Sequence, residues 1–309
     1  MEEFTIRRAI VTGATGMIGS ELIRQMVAEG IEVLAVVRPD TKKLSNLPQD
    51  ARLQVVECDV RNLGQLLTKV QGTYDVFYHF AWNGCFGEAR NDLHSQVGNV
   101  ESALQAVDVA HELGCKKFIG AGSQAEFGPV EGKLSDALPK NPVTGYGIAK
   151  YSACLMTRER CKQLGMAHHW GRILSCYGPG DNAYTMVMSA VLGMKAGKRL
   201  AFTPGEQLWD YIYVSDCAGA FYAMARYGTD GKAYTIGSGQ VAPLKDYIYQ
   251  IRDAVAPFLE VGIGEMAYYP NQVMHLEADI RELQQDCGWN PKVDFADGIR
   301  RTVQSLSDI

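Results

Sequence analysis

Ala9-Ile-Val-Thr12-Gly13-Ala-Thr15-Gly16-Met17-Ile18-Gly19 sets a short apolar, β-branched run directly against three glycines spaced three apart. The run reads as a strand. Ile18, Leu22 and Met26 then fall on one helical face, and Gly30 stands where a helix would end. A glycine pattern between a strand and a helix predicts a dinucleotide cradle. Gly13 permits the tight turn, Gly16 lets the backbone approach a pyrophosphate, Gly19 lets helix and strand pack closely, and the helix N-terminus offers N–H donors. Further strands are expected over 32–37, 53–58, 75–80 and 117–121, with helical segments between them. Such alternation predicts βαβ units, hence an α/β protein with a doubly wound parallel (Rossmann) sheet.

Beyond Ser175 the rhythm changes. Tyr177-Gly-Pro-Gly-Asp-Asn182 is a turn cluster, a helix is expected over 186–194, and short strands near 200–202 and 209–214. The expected division is a dinucleotide-binding domain over 1–175, with return segments near 214–240, and a smaller α/β substrate-binding region over 176–213 and 241–309. A ligand belongs in the cleft between them. The 309 residues carry a net charge of −5 and no basic stretch, which argues against nucleic acid or an anionic membrane as partner. No run approaches the ~18 apolar residues of a membrane span, and no leader segment is read at the N-terminus. The eight cysteines are scattered without a Cys-x-x-Cys, which reads as reduced buried thiols in a cytoplasmic protein. His168-His169 has no companion at metal-ligand spacing, so no metal is expected.

The second expected strand ends at Arg38, where a NAD-binding unit usually carries an acid for the ribose hydroxyls. With Lys42 and Lys43 nearby, Arg38 would attract a 2′-phosphate, so NADP(H) is favoured and NAD(H) remains possible. The alternatives are a solvated arginine at a strand end, and Asp40 acting as the acid. Asp59, after the third strand, is placed to reach the adenine or to cap a helix. Tyr146 and Lys150 sit at i and i+4, where a fixed cation would lower the phenol pKa and let it exchange a proton with a carbinol or carbonyl oxygen. Ser123 follows the fifth strand and faces the same crevice.

Together these residues resemble the extended short-chain dehydrogenase/reductase family, in its NAD(P)-dependent sugar epimerase/dehydratase group. The likeness runs along almost the whole chain: the glycine loop, Asp59-Val60, His79-Phe80-Ala81, Asn99, Ser123, Tyr146-x-x-x-Lys150, Tyr177-Gly-Pro-Gly180, Trp209-Asp-Tyr211, Ile236-Gly-Ser-Gly239 and Gly288-Trp-Asn-Pro291. The resemblance implies Tyr146 as general acid/base, Lys150 tuning it and holding the nicotinamide ribose, Ser123 binding the substrate oxygen and Asn99 supporting a water relay. Cofactor contacts are implied at Gly13, Thr15, Gly16, Met17, Ile18, Gly19, Arg38, Asp59, Val60, Phe80, Ala81 and Lys150. Candidate substrate contacts are Trp82, Ser123, Gln124, Asn182, Arg199 and Trp209, with Asp210 and Gln207 as further ones.

The dehydratase members carry an Asp-Glu pair after the catalytic hydroxyl residue, where this chain has Gln124 and Ala125; Glu126, continuing a strand, would point to the opposite face. The segment 122–128 looks most like the CDP-abequose and CDP-paratose synthase branch, which reduces a 4-keto-6-deoxy nucleotide sugar with NADPH. A nucleotide-sugar 4-epimerase with tightly held NAD is the alternative, and a non-catalytic NADP-sensing protein is an alternative of another class. Two phosphate-binding arginines of the epimerases are replaced by Trp209 and Leu276; Lys195, Lys198, Arg199 or His275 could stand in for them, or be solvated charges. Trp209 stacks on a ligand or packs in the core. Cys85, without a paired histidine, is given no nucleophilic role. A homodimer is expected, with Leu104, Val107 and Leu155 at its interface or packed against their own sheet.

Overall fold

The structure, a computed structural model, describes residues 3–269 and 272–306. Its central sheet has seven parallel strands: β1 (Arg8–Thr12), β2 (Glu32–Val37), β3 (Leu53–Glu57), β4 (Val76–His79) and β5 (Lys117–Ser123), joined by Ala167–Ile173 and Ala233–Ile236. Across the sheet the order is Ala233–Ile236, Ala167–Ile173, β5, β4, β1, β2, β3, so the winding reverses between β4 and β1. A doubly wound sheet opens its binding crevice at that reversal.

Apart from the edge strand β3, the strands are buried on both faces, as a parallel sheet covered by helices requires. In β2, Val33, Ala35 and Val37 turn toward Leu22, Met26 and Phe221, whereas Leu34 and Val36 turn toward Leu63, Val107 and Phe118. In β4, Val76 and Tyr78 part from Phe77 in the same way. The helices are α1 (Met17–Ala28), α2 (Leu66–Lys69), α3 (Leu93–Glu112), α4 (Gly145–Leu164), α5 (Met186–Lys195) and α6 (Val214–Tyr227), followed by three more toward the C-terminus. α1 and α6 cover one face, and α3 with α4 the other. No helix among the described residues is long and apolar enough to cross a membrane.

Two departures from the expected strands bear on the site. β5 continues two residues past 121, so Ser123 is its last residue. The strand expected over 209–214 is broken: Leu208–Trp209 joins a four-stranded sheet while Tyr211–Tyr213 pairs with Ser175–Tyr177. The cause is Asp210, fully buried between them, whose carboxylate accepts from Ser238 N and Oγ at 2.7 Å each and from Gly239 N and Ala278 N at 3.0 Å each. Of the three apolar residues considered for a dimer face, Val107 is wholly buried in its own chain's core, while Leu155 is 37% exposed. His168 hydrogen-bonds Thr157 Oγ1 and stacks on Phe118 and Trp170 as a packed core residue.

Candidate active site

At the end of β1 the chain turns at Gly13 with φ +67°. A Cβ there would stand 2.7 Å from the backbone nitrogen of Ala81 and the carbonyl carbon of Phe80, so only glycine lets the loop run flush against the end of β4. Gly16 caps α1 without a side chain, leaving the first-turn N–H groups to an outside acceptor. Gly13, Gly16, Met17, Ile18, Gly19 and Phe80 line one cleft of 790 Å³, and a pyrophosphate fits that cradle of free N–H groups. Thr15 lies outside the lining, its carbonyl held by Asn46 Nδ2 at 2.8 Å. Arg38 follows β2 and is exposed, and Lys43 lines the cleft; neither these two nor Lys42 forms an ion pair among the described residues. Asp59 caps the turn Val60–Gln65, accepting Arg61 N at 2.9 Å and pairing with its guanidinium at 2.5 Å, which brings its pKa down to about 2. Val60 is buried beside it, and neither residue lines the cleft.

Thr144 caps α4 by accepting Gly147 N at 3.1 Å, which places Tyr146 in the first turn and Lys150 one turn on. On both sides of Tyr146 the helix touches backbone. A Cβ on Gly145 would stand 3.0 Å from the carbonyl oxygen of Arg90, and one on Gly147 would overlap that of Ala125. The buried Tyr146 ring meets Trp82 edge-on at 6.2 Å, with its hydroxyl in hydrogen-bond reach of Ser123. Lys150 is enclosed: Nζ donates to the Ala121 carbonyl at 2.6 Å and lies 3.7 Å from the Trp82 ring centroid. Burial lowers its pKa from 10.5 to about 8. The phenol moves opposite to the sequence expectation. Burial raises the Tyr146 pKa and outweighs Ser123 and Arg90, while the Lys150 ammonium, 5.8 Å from the phenol centroid, is turned to Ala121 and Trp82. Tyr146 is thus held as a neutral phenol.

Ser123 Oγ accepts Ala125 N at 3.2 Å, and Ser123 N donates to Glu126 Oε1 at 2.9 Å. Glu126 does not alternate away along a strand, because the chain leaves β5 in a 3₁₀ turn, Gln124–Glu126, that folds this side chain back under Ser123. Fully buried, it accepts Trp170 Nε1 at 2.9 Å and pairs with Arg172 at 2.7 Å; Asp136 meets another edge of that guanidinium. Gln124 lines the cleft beside Ser123.

Asn99 lies with Gln96 on a buried polar strip of α3. Asn99 accepts Asn83 N at 3.0 Å and donates to Asn83 O at 2.8 Å, so its amide ties down the loop after β4. Gln96 accepts Trp82 Nε1 at 2.9 Å and donates to the carbonyls of Gly84 at 3.0 Å and Ala89 at 3.1 Å. The loop sewn down in this way brings Trp82, Cys85, Phe86 and Arg90 to the cleft, with the Arg90 guanidinium 4.7 Å from the Tyr146 ring centroid. Neither Gln96 nor Arg90 stood out in the sequence; their only signal was a polar and a cationic residue within 14 positions of Trp82.

Asn182 and Trp209 line the cleft, where Trp209 Nε1 also donates to Ser175 Oγ at 2.8 Å. Asp181 lies between them, and burial raises its pKa to about 6. Arg199 is not brought to the cleft; it pairs with Glu265 and Glu260. The other stand-in cations are elsewhere too: Lys195 donates to Leu306 O, His275 bonds Glu277, and Lys198 is exposed off the cleft. Leu276 is core, and Asp210 and Gln207 are buried off the cleft, Asp210 with its carboxylate filled by four donors.

Residues 9–237 match the model of the NAD dependent epimerase/dehydratase family. Over 321 residues the chain is 23% identical to a Bacillus subtilis protein described as an uncharacterized UDP-glucose epimerase, covering 98% of each chain. It is 24% identical over 319 residues to the CDP-abequose synthase of Salmonella typhimurium, covering 96% of this chain and 97% of that one. Its fold is that of the UDP-glucose 4-epimerase from Thermotoga maritima solved with UDP-glucose: TM-score 0.87 at 21% identity, over 97% of this chain and 99% of the other. By that family match, the chain belongs to the NAD-dependent epimerase/dehydratase family and is an enzyme of the extended short-chain dehydrogenase/reductase type.

Proposed function

We propose that this protein reduces the keto group of a nucleotide-activated 4-keto-6-deoxy sugar, using NADPH. The observation that carries this reading is the end of β2: Arg38, with Lys42 and Lys43 on the turn that follows, stands where an acid would select NAD, and none of the three forms an ion pair among the described residues, Asp59, on which Arg38 acts electrostatically, being paired with Arg61. With its pyrophosphate held in the glycine cradle, the cofactor would supply the hydride. Tyr146, kept as a neutral phenol by burial, is poised to give its proton to the oxygen that becomes the alcohol. Ser123, at the end of β5, holds that oxygen, and its hydroxyl together with the Arg90 guanidinium over the ring favours the phenolate left behind. With Gln124 and Ala125 after Ser123, the acid and base of a dehydratase are missing from that turn. Likeness to the UDP-glucose epimerases favours a second reading, 4-epimerisation with retained NAD.

The test is to denature freshly purified protein, identify any released nucleotide by chromatography, and titrate the emptied protein with NADPH and NADH. Vacant sites that prefer NADPH support the reductase. Stoichiometric, non-exchanging NAD replaces it with the epimerase.

A further inference from the structure

The cleft holds a cation that neither the cofactor cradle nor the proton-transfer pair explains. Among the described residues that line it, Lys43 sits with the dinucleotide loop, Lys150 is enclosed beneath Trp82, and Arg90 alone of the cations faces the substrate side. The Arg90 guanidinium lies over the Tyr146 ring and makes no hydrogen bond or ion pair among the described residues. Its place is fixed: Gly145 N donates to Asn91 Oδ1 at 3.1 Å, and Gln96 holds the Ala89 carbonyl at 3.1 Å, so the charge is carried on a pinned turn. A half-buried guanidinium with unfilled donors is costly without a ligand and well shaped for a planar or bidentate oxyanion. The residues expected from the sequence to meet a phosphate are accounted for otherwise: Trp209 and Leu276 carry no charge, Arg199 and His275 bond acidic partners, and Lys195 and Lys198 lie off the cleft.

We infer that Arg90 is the specificity-determining residue that binds an oxyanion of the substrate and sets the sugar against Tyr146. This rests on the nucleotide-sugar reading above. The oxyanion has two sources, the nucleotide's diphosphate or a carboxylate on the sugar ring; a 6-deoxy sugar offers only the first.

The test titrates NADPH-loaded wild-type protein and Arg90→Gln with UDP, CDP, dTDP, UDP-glucose and UDP-glucuronate by calorimetry, with NADPH affinity as the check on an intact cleft. Arg90→Gln is expected to weaken binding about 10- to 100-fold, the loss of one charge-assisted contact. A loss common to the plain nucleotides and their sugar conjugates identifies the diphosphate; a loss confined to UDP-glucuronate identifies a ring carboxylate. Arg90→Lys keeps the charge without the fork, and its intermediate loss serves if the glutamine variant does not fold. Should Arg90→Gln bind every ligand of the wild type to within about twofold, the inference is overturned and the proposed function stands. Wild-type protein that takes NADPH but none of the five probes overturns both.

Discussion

Glu126→Ala removes the carboxylate on which the floor of the active site rests. Glu126 has no exposed surface and accepts three donors: Ser123 N at 2.9 Å, Trp170 Nε1 at 2.9 Å and Arg172 Nε at 2.7 Å. Its loss leaves a guanidinium that is 2% exposed with only the partly exposed Asp136 to balance it, and leaves two buried N–H groups without acceptors. Breaking a buried ion pair costs about 3–5 kcal/mol, and a stranded donor about 1–3 kcal/mol before non-additivity, so a total near 5 kcal/mol follows. At about 2.1 cal/mol/K per residue, 309 residues turn that into a fall in Tm of roughly 8 °C. Glu126→Gln keeps one acceptor oxygen for a donor while dropping the charge, and is expected to lose about half as much. Equilibrium urea unfolding followed by circular dichroism, with thermal melts in parallel, measures both variants. Turnover is followed on the same samples, because Ser123 loses the anchor of its N–H. A loss below about 1 kcal/mol for the alanine variant, or equal losses for alanine and glutamine, would refute the account of Glu126 as a charge held by three donors.

Tyr146→Phe is expected to lower turnover by about 10²–10⁴-fold while NADPH affinity, measured by fluorescence titration, is unchanged; an active phenylalanine variant removes Tyr146 from proton transfer. Arg38→Ala should weaken NADPH about 10- to 100-fold and NADH hardly at all, and equal weakening of the two would leave the 2′-phosphate contact without support. For Lys150, the folded pKa of about 8 lies below the ordinary 10.5, so below pH 8 the folded state carries the full penalty of burying the charge. Between about pH 8 and 10.5 the unfolded chain binds more protons, so stability rises with pH there as that penalty is relieved. Relative to Lys150→Met, which has nothing to titrate there, the wild type should gain about 2 kcal/mol in urea unfolding between about pH 7 and about pH 9.5. A constant difference would mean that Lys150 is not desolvated.

The parts of the site visible in the sequence are those whose chemistry is local. Gly13 and Gly16 act within one turn of the first strand, and Tyr146 and Lys150 are neighbours by helical spacing alone, so residue type and interval suffice. The parallel sheet was legible for a similar reason, since β2 and β4 advertise burial on both faces by unbroken apolar runs. What escaped depends on partners far along the chain. Glu126 turns inward because Trp170 and Arg172, 44 and 46 residues on, offer donors that a solvated strand end cannot. Asp210 breaks its strand to collect Ser238, Gly239 and Ala278. Arg90 reaches the cleft only because Gln96 and Asn99, buried on α3, sew down a loop without periodic pattern. Arg199 looked available only while Glu265, 66 residues away, was out of view.

The two residues beside the Tyr146 phenol have no side chains: an added Cβ would meet the Leu93 side chain and the Arg90 carbonyl at Gly145, and the Ala125 carbonyl at Gly147. Tyr146 is therefore gauged from the Ala125 backbone on one side and from the Arg90 backbone with the Leu93 side chain on the other. Chemistry and selectivity can in consequence be altered separately on the Gly147 side alone, because the Gly145 side rests on the backbone of Arg90, whose guanidinium covers the phenol. Libraries drawn at Phe86 would change what the pocket accepts while the two side chains that bear on the phenol, Cys85 and Arg90, stay in place. One methyl group added at Gly147 would do the reverse, pressing on the Ala125 carbonyl and moving the phenol relative to the ligand-facing groups.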